Sequence, residues 1–266
     1  MFVGWHRNNF SEVVDDFSKD ILCDKNLLLN SWNSDKTLSF GAYEEGKLYG
    51  AISAYPFEKS MFINNFYYKE KVDNSIKARL LGLLLKNIDD GIKTISILVS
   101  LPEISLFEQF GFKEYGVFYK VLYSSGLMEF KGKFDDATPQ NYMDILRVID
   151  KDAFAENRSD YIDEMIKKSS SLFLTTPNGY QHSYALSKNI IKISPWIMRD
   201  GAYDDSMRLL RTILHHRGGK NILAFIPDVK EIRDLYISQN FDFMSEYRLM
   251  YLNTKPSIDL EMVYGF

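Results

Sequence analysis

One order of structural signals runs twice along the 266 residues, which limits the chain to folds built from two similar units. In each pass a helical pattern leads into a run of short strands. A longer helix, a continuously apolar strand, a short helix and a final long strand follow. The repetition extends to residues. Phe107-Glu-Gln-Phe-Gly-Phe112 matches Tyr236-Ile-Ser-Gln-Asn-Phe241, and the same spacing pairs Leu122 with Tyr251. Ahead of each block an apolar strand ends in proline and an acid, Pro102-Glu103 and Pro227-Asp228. Ser124-Ser125-Gly126 reads as the start of a linker. Two tandem α/β domains are therefore expected, at 1–126 and 127–266.

Periodicity assigns the elements. Phe10, Val13, Val14 and Phe17 recur at helical spacing. Leu38–Tyr43 and Leu48–Tyr55 alternate on either side of Glu45-Gly46-Lys47 and predict a hairpin, which Pro56 ends. Met61–Tyr68 is a third strand. A helix is expected over Asn74–Asp89, capped by Asp73 and stopped by Gly91. Ile95–Val99 has the unbroken apolar run of a central strand, Ile104–Phe110 a short helix, and Tyr115–Tyr123 a long strand. The second pass predicts helices over Tyr142–Ile149 and Tyr161–Lys168, and strands over Leu172–Thr176, His182–Ser187 and Ile190–Met198. A helix over Asp204–His216, the strand Asn221–Ile226, the helix Glu231–Gln239 and the strand Tyr247–Leu252 complete it.

Composition narrows the functions. A 45% apolar share is enough for a core in each unit. A net charge of −4 argues against a general nucleic-acid partner. The single cysteine, Cys23, allows neither an internal disulfide nor a cysteine-rich metal site. The start Met1-Phe-Val-Gly-Trp-His6 lacks the pattern of a signal peptide, and Leu80–Leu85 is the longest apolar run, so a cytoplasmic protein without a membrane partner is expected. His215-His216-Arg217-Gly218-Gly219 reads as a helix end with cations at the negative dipole pole, and no metal is expected.

Leu106-Phe-Glu-Gln-Phe-Gly-Phe-Lys-Glu-Tyr115 resembles the closing signature of GNAT-type N-acetyltransferases, in which a short helix ends in Gly-Phe before a strand. The glycine supplies a left-handed residue, and asparagine, here Asn240, is the next best tolerated. Tyr184-Ala-Leu, Ile193-Ser-Pro-Trp-Ile197, Ala224-Phe-Ile-Pro227 and Tyr247-Arg-Leu-Met-Tyr251 resemble the extra domain of tandem members of that family. The resemblance implies an α/β (α+β) fold of two tandem acyl-CoA N-acyltransferase domains, each a mixed, mainly antiparallel sheet with flanking helices. It also implies acetyl-CoA as co-substrate and a small-molecule amine as acceptor.

Such domains hold acetyl-CoA in a gap between two splayed strands, with the pyrophosphate at the next helix start, where backbone N–H groups and the dipole favour an anion. The corresponding residues here are Phe66, Tyr67, Tyr68, Lys71, Val72, Asn74, Ser75, Ile76 and Lys77. The family's loop glycines are missing, and Asp73 brings a like charge. Lys69, Lys71, Lys77 and Arg79 make this the densest basic cluster of the chain. In the second half Asp204 and Asp205 stand where the phosphates would go. The family's proton-donating tyrosine falls on Phe107 in the first half and on Tyr236 in the second. Tyr236 is therefore the candidate catalytic acid, and Tyr115, Tyr119 or water stand in if the first half is active. The rival expectation is a non-catalytic metabolite- or partner-binding protein on the same fold.

Overall fold

Strands alternate their side chains between two faces, so each sheet here needs helices on both. The computed structural model describes residues 1–6, 9–126, 142–167 and 170–266. By contacts these divide into two units, Met1–Tyr115 with Leu249–Pro256, and Gly116–Arg248 with Ser257–Phe266.

The sheet of the first unit contains β1 (Phe2–Trp5), β2 (Leu38–Glu44), β3 (Lys47–Pro56), β4 (Ser60–Tyr68) and β5 (Thr94–Ser100), in that order. The Leu249–Asn253 end of β11 (Asp242–Asn253) follows β5. β1 to β4 are antiparallel neighbours, and β4 and β5 run parallel. Four helices cover the two faces: α1 (Phe10–Asp20), α2 (Lys25–Asn33), α3 (Asn74–Lys86) and α4 (Ile104–Gln109). Phe10, Val14, Phe17 and Leu28 from α1 and α2 pack with Tyr43, Leu48 and Ala51. Leu80, Leu84 and Phe107 from α3 and α4 pack with Phe40, Ile52, Ile63, Ile97 and Met250. Adjacent residues Ala51 and Ile52 thus serve opposite cores, as the period of two requires.

The second unit repeats the plan with β6 (Lys113–Tyr123), β7 (Leu172–Thr176), β8 (Gly179–Ala185), β9 (Ile190–Met198) and β10 (Asn221–Pro227). Its order is β11-β6-β10-β9-β8-β7, and β12 (Val263–Gly265) pairs with β9. The helices are α5 (Met143–Phe154), α6 (Ser159–Ile166), α7 (Tyr203–Arg217) and α8 (Lys230–Ser238). Leu209, Ile213 and Leu235 from α7 and α8 enclose Trp196. Leu146, Ile149 and Ala153 of α5 form the stripe that packs on Tyr180 and Ile197. Asp150 is also buried there. It accepts from Arg158 Nε at 2.9 Å and Nη2 at 2.8 Å, and from Tyr180 Oη at 2.5 Å, so the charge is fully partnered.

Both repeats end their short helix identically. Phe112 N donates to Phe107 O, and Phe241 N to Tyr236 O, each at 3.1 Å. Gly111 and Asn240 take φ of 85° and 60°, the left-handed cap expected of both. The repeats exchange their last strands. From Gly116 onward β6 lies in the second unit, antiparallel to β10 from Phe118↔Pro227 to Tyr123↔Ile222. The far end of β11 lies in the first unit, where Thr254 N donates to Lys93 O and Thr94 Oγ1 to Thr254 O, each at 3.0 Å. The sequence expects domains at 1–126 and 127–266, whereas the compact units change over at Tyr115/Gly116 and each takes in a segment from the end of the chain.

Several boundaries differ from expectation: α5 runs on to Phe154 rather than ending at Ile149, and β11 starts at Asp242 rather than Tyr247. α3 stops at Lys86, not Asp89, because Asn87 N–H reaches Leu84 O and Leu85 O and its side chain reaches Leu83 O. Gly91 instead closes a turn on Asp89. β8 begins at Gly179 and ends at Ala185, since Leu186 N and Ser187 N turn back to Ile190 O. β1, α2 and β12 are new; α2 starts at Asp24, whose carboxylate accepts from Leu27 N at 2.8 Å. Lys168, the expected end of α6, and the linker beyond Gly126 lie outside the described residues.

His6 ties β1 to the face covered by α1. Its Nδ1 meets Tyr43 Oη at 2.6 Å, its Nε2 meets Ser39 Oγ at 2.8 Å, and its ring stacks on Phe10 at 3.7 Å. Burial lowers its pKa to about 3. The unfolded chain binds this proton near pH 6.5 and the folded chain near 3. Stability from a neutral His6 is therefore complete above pH 6.5 and is lost as pH falls toward 3. Urea titrations at pH 7 and 5 should show the parent losing about 2 kcal/mol more than His6→Gln. Equal losses would show that His6 carries no such linkage.

Candidate functional site

Parallel pairing between β4 and β5 runs only from Ser60↔Thr94 to Ile63↔Ile97. Beyond that point β4 continues to Tyr68 and β5 to Ser100, and among the described residues no strand pairs with Asn64–Tyr68 on this side. β4 remains paired with β3 on its other edge as far as Gly50↔Tyr68. The register shifts at Ser53/Ala54, where Asn64 is the extra residue, and such a bulge bends its strand away from a neighbour. The unpaired stretch is a slot in the hydrogen-bonded ladder, about 15 Å along β4 at roughly 3.3 Å per residue.

α3 starts at the mouth of this slot, as the sequence predicts, and Asp73 caps it. The Asp73 carboxylate accepts from Ser75 N at 2.8 Å, Ile76 N at 3.0 Å and Ser75 Oγ at 2.6 Å. Hydrogen bonds from the Ser75 side chain and the Ile76 backbone hold its pKa below the usual carboxylate range. The helix start thus already has an anion, one supplied by its own sequence.

The nine residues proposed for cofactor binding divide by face. Phe66 and Tyr68 turn toward α3 and α4, and Phe66 meets the buried Phe107 ring at 5.6 Å. Tyr67 turns the other way, and its hydroxyl accepts from Asp24 N at 3.3 Å. Lys71, Asn74 and Ser75 are exposed, while Val72, Ile76 and Lys77 are buried. The Lys77 ammonium donates to Glu103 Oε1 at 2.9 Å and lies 3.9 Å over the Tyr68 ring. Lys69 pairs with Asp20. The basic cluster read from sequence is therefore split: Lys69 and Lys77 have acidic partners, while Lys71 and Arg79 are exposed. Sequence reasoning missed Glu103, which is distant along the chain. It also missed Ser53, Asn64 and Asn65, although two asparagines interrupting an apolar alternation are a bulge signal.

The second unit has the same splay with a different outcome. β9 and β10 pair in parallel only from Ile190↔Asn221 to Lys192↔Leu223. β12 occupies the opening, with Val263 opposite Ile197 and Gly265 opposite Trp196, and Phe266 N donates to Phe225 O of β10 at 2.9 Å. Tyr236, the candidate acid, is fully buried under this strand. Its hydroxyl donates to Tyr264 O at 2.8 Å, its ring meets Phe241 at 4.8 Å, and burial pushes its pKa well up. Asp204 and Asp205 lie in the first turn of α7, where Asp205 accepts from Asn178 Nδ2 at 2.8 Å. Among the described residues there is no group of three metal-ligating side chains and no helix long and apolar enough to cross a membrane.

Two splayed α/β units in one chain define the tandem GNAT acetyltransferase fold. Solved structures share it across the whole length. A provisionally named acetyltransferase from Pyrococcus horikoshii is 15% identical, with TM-score 0.79, over 100% of this chain and 93% of its own. A GCN5-related N-acetyltransferase from Sphaerobacter thermophilus is 10% identical, with TM-score 0.66, over 98% of both chains. A tandem GNAT protein from the clavulanic acid biosynthesis pathway is 10% identical, with TM-score 0.60, over 96% of this chain and 99% of its own. These likenesses concern the fold. No family model and no curated protein matches the sequence.

The buried Tyr236 hydroxyl fastens β12. Tyr236→Phe should destabilise the protein by about 1 kcal/mol in urea with an unchanged m-value. No measurable change would mean that this bond contributes nothing to holding the strand.

Proposed function

We propose that the chain is an acyl-CoA-dependent N-acyltransferase that moves acetyl from acetyl-CoA to the amine of a small molecule, using the first unit. The observation that carries this reading is the difference between the two splays. β12 fills the one between β9 and β10, whereas among the described residues no strand lies beside the β4 edge from Asn64 to Tyr68. An extended chain with amide groups, such as pantetheine, can add to a free strand edge by backbone hydrogen bonding. In this reading Phe66, Tyr68 and Val72 provide apolar contact, and Lys71, Asn74, Ser75, Ile76 and Lys77 surround the phosphates. Tyr67 supports the strand from its opposite face. The reading implies a cytoplasmic protein, where acyl-CoA is found.

The chemistry does not require a side-chain acid. The neutral amine attacks the thioester carbonyl, the C–S bond breaks, the thiolate leaves, and the proton lost by the amine passes to water or to that thiolate. A thiol of ordinary pKa about 8.5 leaves readily as its anion, so Phe107 in the tyrosine position is compatible with transfer. Positioning is the main contribution the slot would make. Tyr236→Phe should leave turnover intact.

The second reading is a binding protein without turnover. It is favoured by the Asp73 cap and the Lys77–Glu103 pair, which engage groups that a pyrophosphate would use. Isothermal titration separates the readings. Acetyl-CoA should bind once per chain, and an amine panel should release free CoA. Binding without release would favour the second reading, and no heat at millimolar acetyl-CoA would remove the first.

Asp73→Asn keeps a capping oxygen and removes the charge. It should tighten CoA binding several-fold, whereas Asp205→Asn should leave it unchanged. The opposite pattern would move the cofactor to the second unit.

A further inference from the structure

A polar cluster at the foot of the β4–β5 slot is unused by the cofactor reading. Ser53 of β3 and Asn65 of β4 face each other in register and are 0% and 2% exposed. Ser53 Oγ donates to Asn64 Oδ1 at 2.7 Å, and Asn65 Nδ2 donates to Ser53 Oγ at 2.6 Å and to Asn64 Oδ1 at 3.2 Å. These bonds fix the two amides and leave two buried atoms over. Asn64 Nδ2, a donor, and Asn65 Oδ1, an acceptor, have no partner. A buried polar group left so is costly, and native structures rarely keep one without a ligand or water to meet it.

The place and the chemistry are both specific. Asn64 directly follows Ile63, the last residue of β4 paired with β5, and it is only partly buried. If phosphates sit at the start of α3, beyond Tyr68, an extended cofactor running down β4 brings its acyl end to Asn64. Asn65 has the parity of Tyr67, so it faces α1 and α2, opposite α3 and α4. Among the described residues the cluster hydrogen-bonds to no charged side chain. Ser39, the next residue across the sheet from Ser53, is taken by His6, which burial keeps neutral. None of the cluster's own hydrogen bonds supplies a counter-charge for a carboxylate or phosphate. A group that accepts one hydrogen bond and donates another beside it fits the two free atoms.

Resting on the acyltransferase reading of the first unit, we propose that Asn64 and Asn65 recognise a carboxamide on the acceptor. Asn64 Nδ2 donates to its carbonyl oxygen and Asn65 Oδ1 accepts from its N–H. The acceptor is then an amino-acid amide or a peptide N-terminus rather than a free amino acid or a simple alkylamine. In the second unit Gln181 and Ser183 also hold unpartnered buried atoms at the matching register shift, but there β12 fills the splay.

Leucinamide, leucine and isoamylamine share one side chain and one amine, and differ in the group beside the amine. Titrated into the unmodified protein with saturating CoA, leucinamide should bind at least tenfold more tightly than either of the others. In Asn64→Leu, checked for an unchanged fold by circular dichroism and melting temperature, the three should bind alike. Equal affinities in the unmodified protein, or leucine as the tightest, would overturn the proposal and leave the cluster as a site for ordered water only. The titrations also separate the two claims. A leucinamide preference without CoA binding keeps this site and removes the acyltransferase, and CoA binding without the preference does the reverse.

Discussion

The molecule depends on a parallel strand pair that stops early. A backbone group leaving a ladder must find another partner or be exposed to solvent. β4 parts from β5 after Ile63, and β9 parts from β10 after Lys192. One architecture therefore creates the same need twice. In the second unit β12 meets it and carries Tyr236 into the core with it. In the first unit no strand among the described residues meets it, and the bulge at Asn64 falls where the two strands part. Loss of symmetry between two similar units is thus a matter of what occupies a strand edge.

Much of this was legible because it is local. The left-handed residues at Gly111 and Asn240 follow from which side chains tolerate that backbone, and Asp73 follows from cap chemistry. β9 and β7 were bounded to the residue by their apolar patterns. What escaped was non-local or short. β1 and β12 have four and three residues, too few for a period to show. No spacing rule connects Lys77 with Glu103, or β12 with a gap in a strand pair far back along the chain. The fate of Tyr236 was hidden for the same reason, since a tyrosine facing a cleft and one lying under a strand read alike.

Electrostatics divides the labour further. The basic residues near the first helix start are largely committed, Lys69 to Asp20 and Lys77 to Glu103, and the helix start has its own carboxylate. Affinity for a polyanion cannot then come from Lys69 or Lys77. It has to come from backbone donors, from Lys71 and from apolar contact along β4. That balance suits a ligand chosen by shape.

The exchange of β6 and β11 also sets an order of events. The first unit is completed by Leu249–Pro256. During synthesis that segment leaves the ribosome only after nearly all of the second unit has been made. Met1–Tyr115 must therefore wait, with the β5 edge uncovered, while the later residues are added. Domains usually fold as they emerge, first unit first. Here the earliest residues are among the last to be finished, and the uncovered edge is where a nascent chain would need a chaperone.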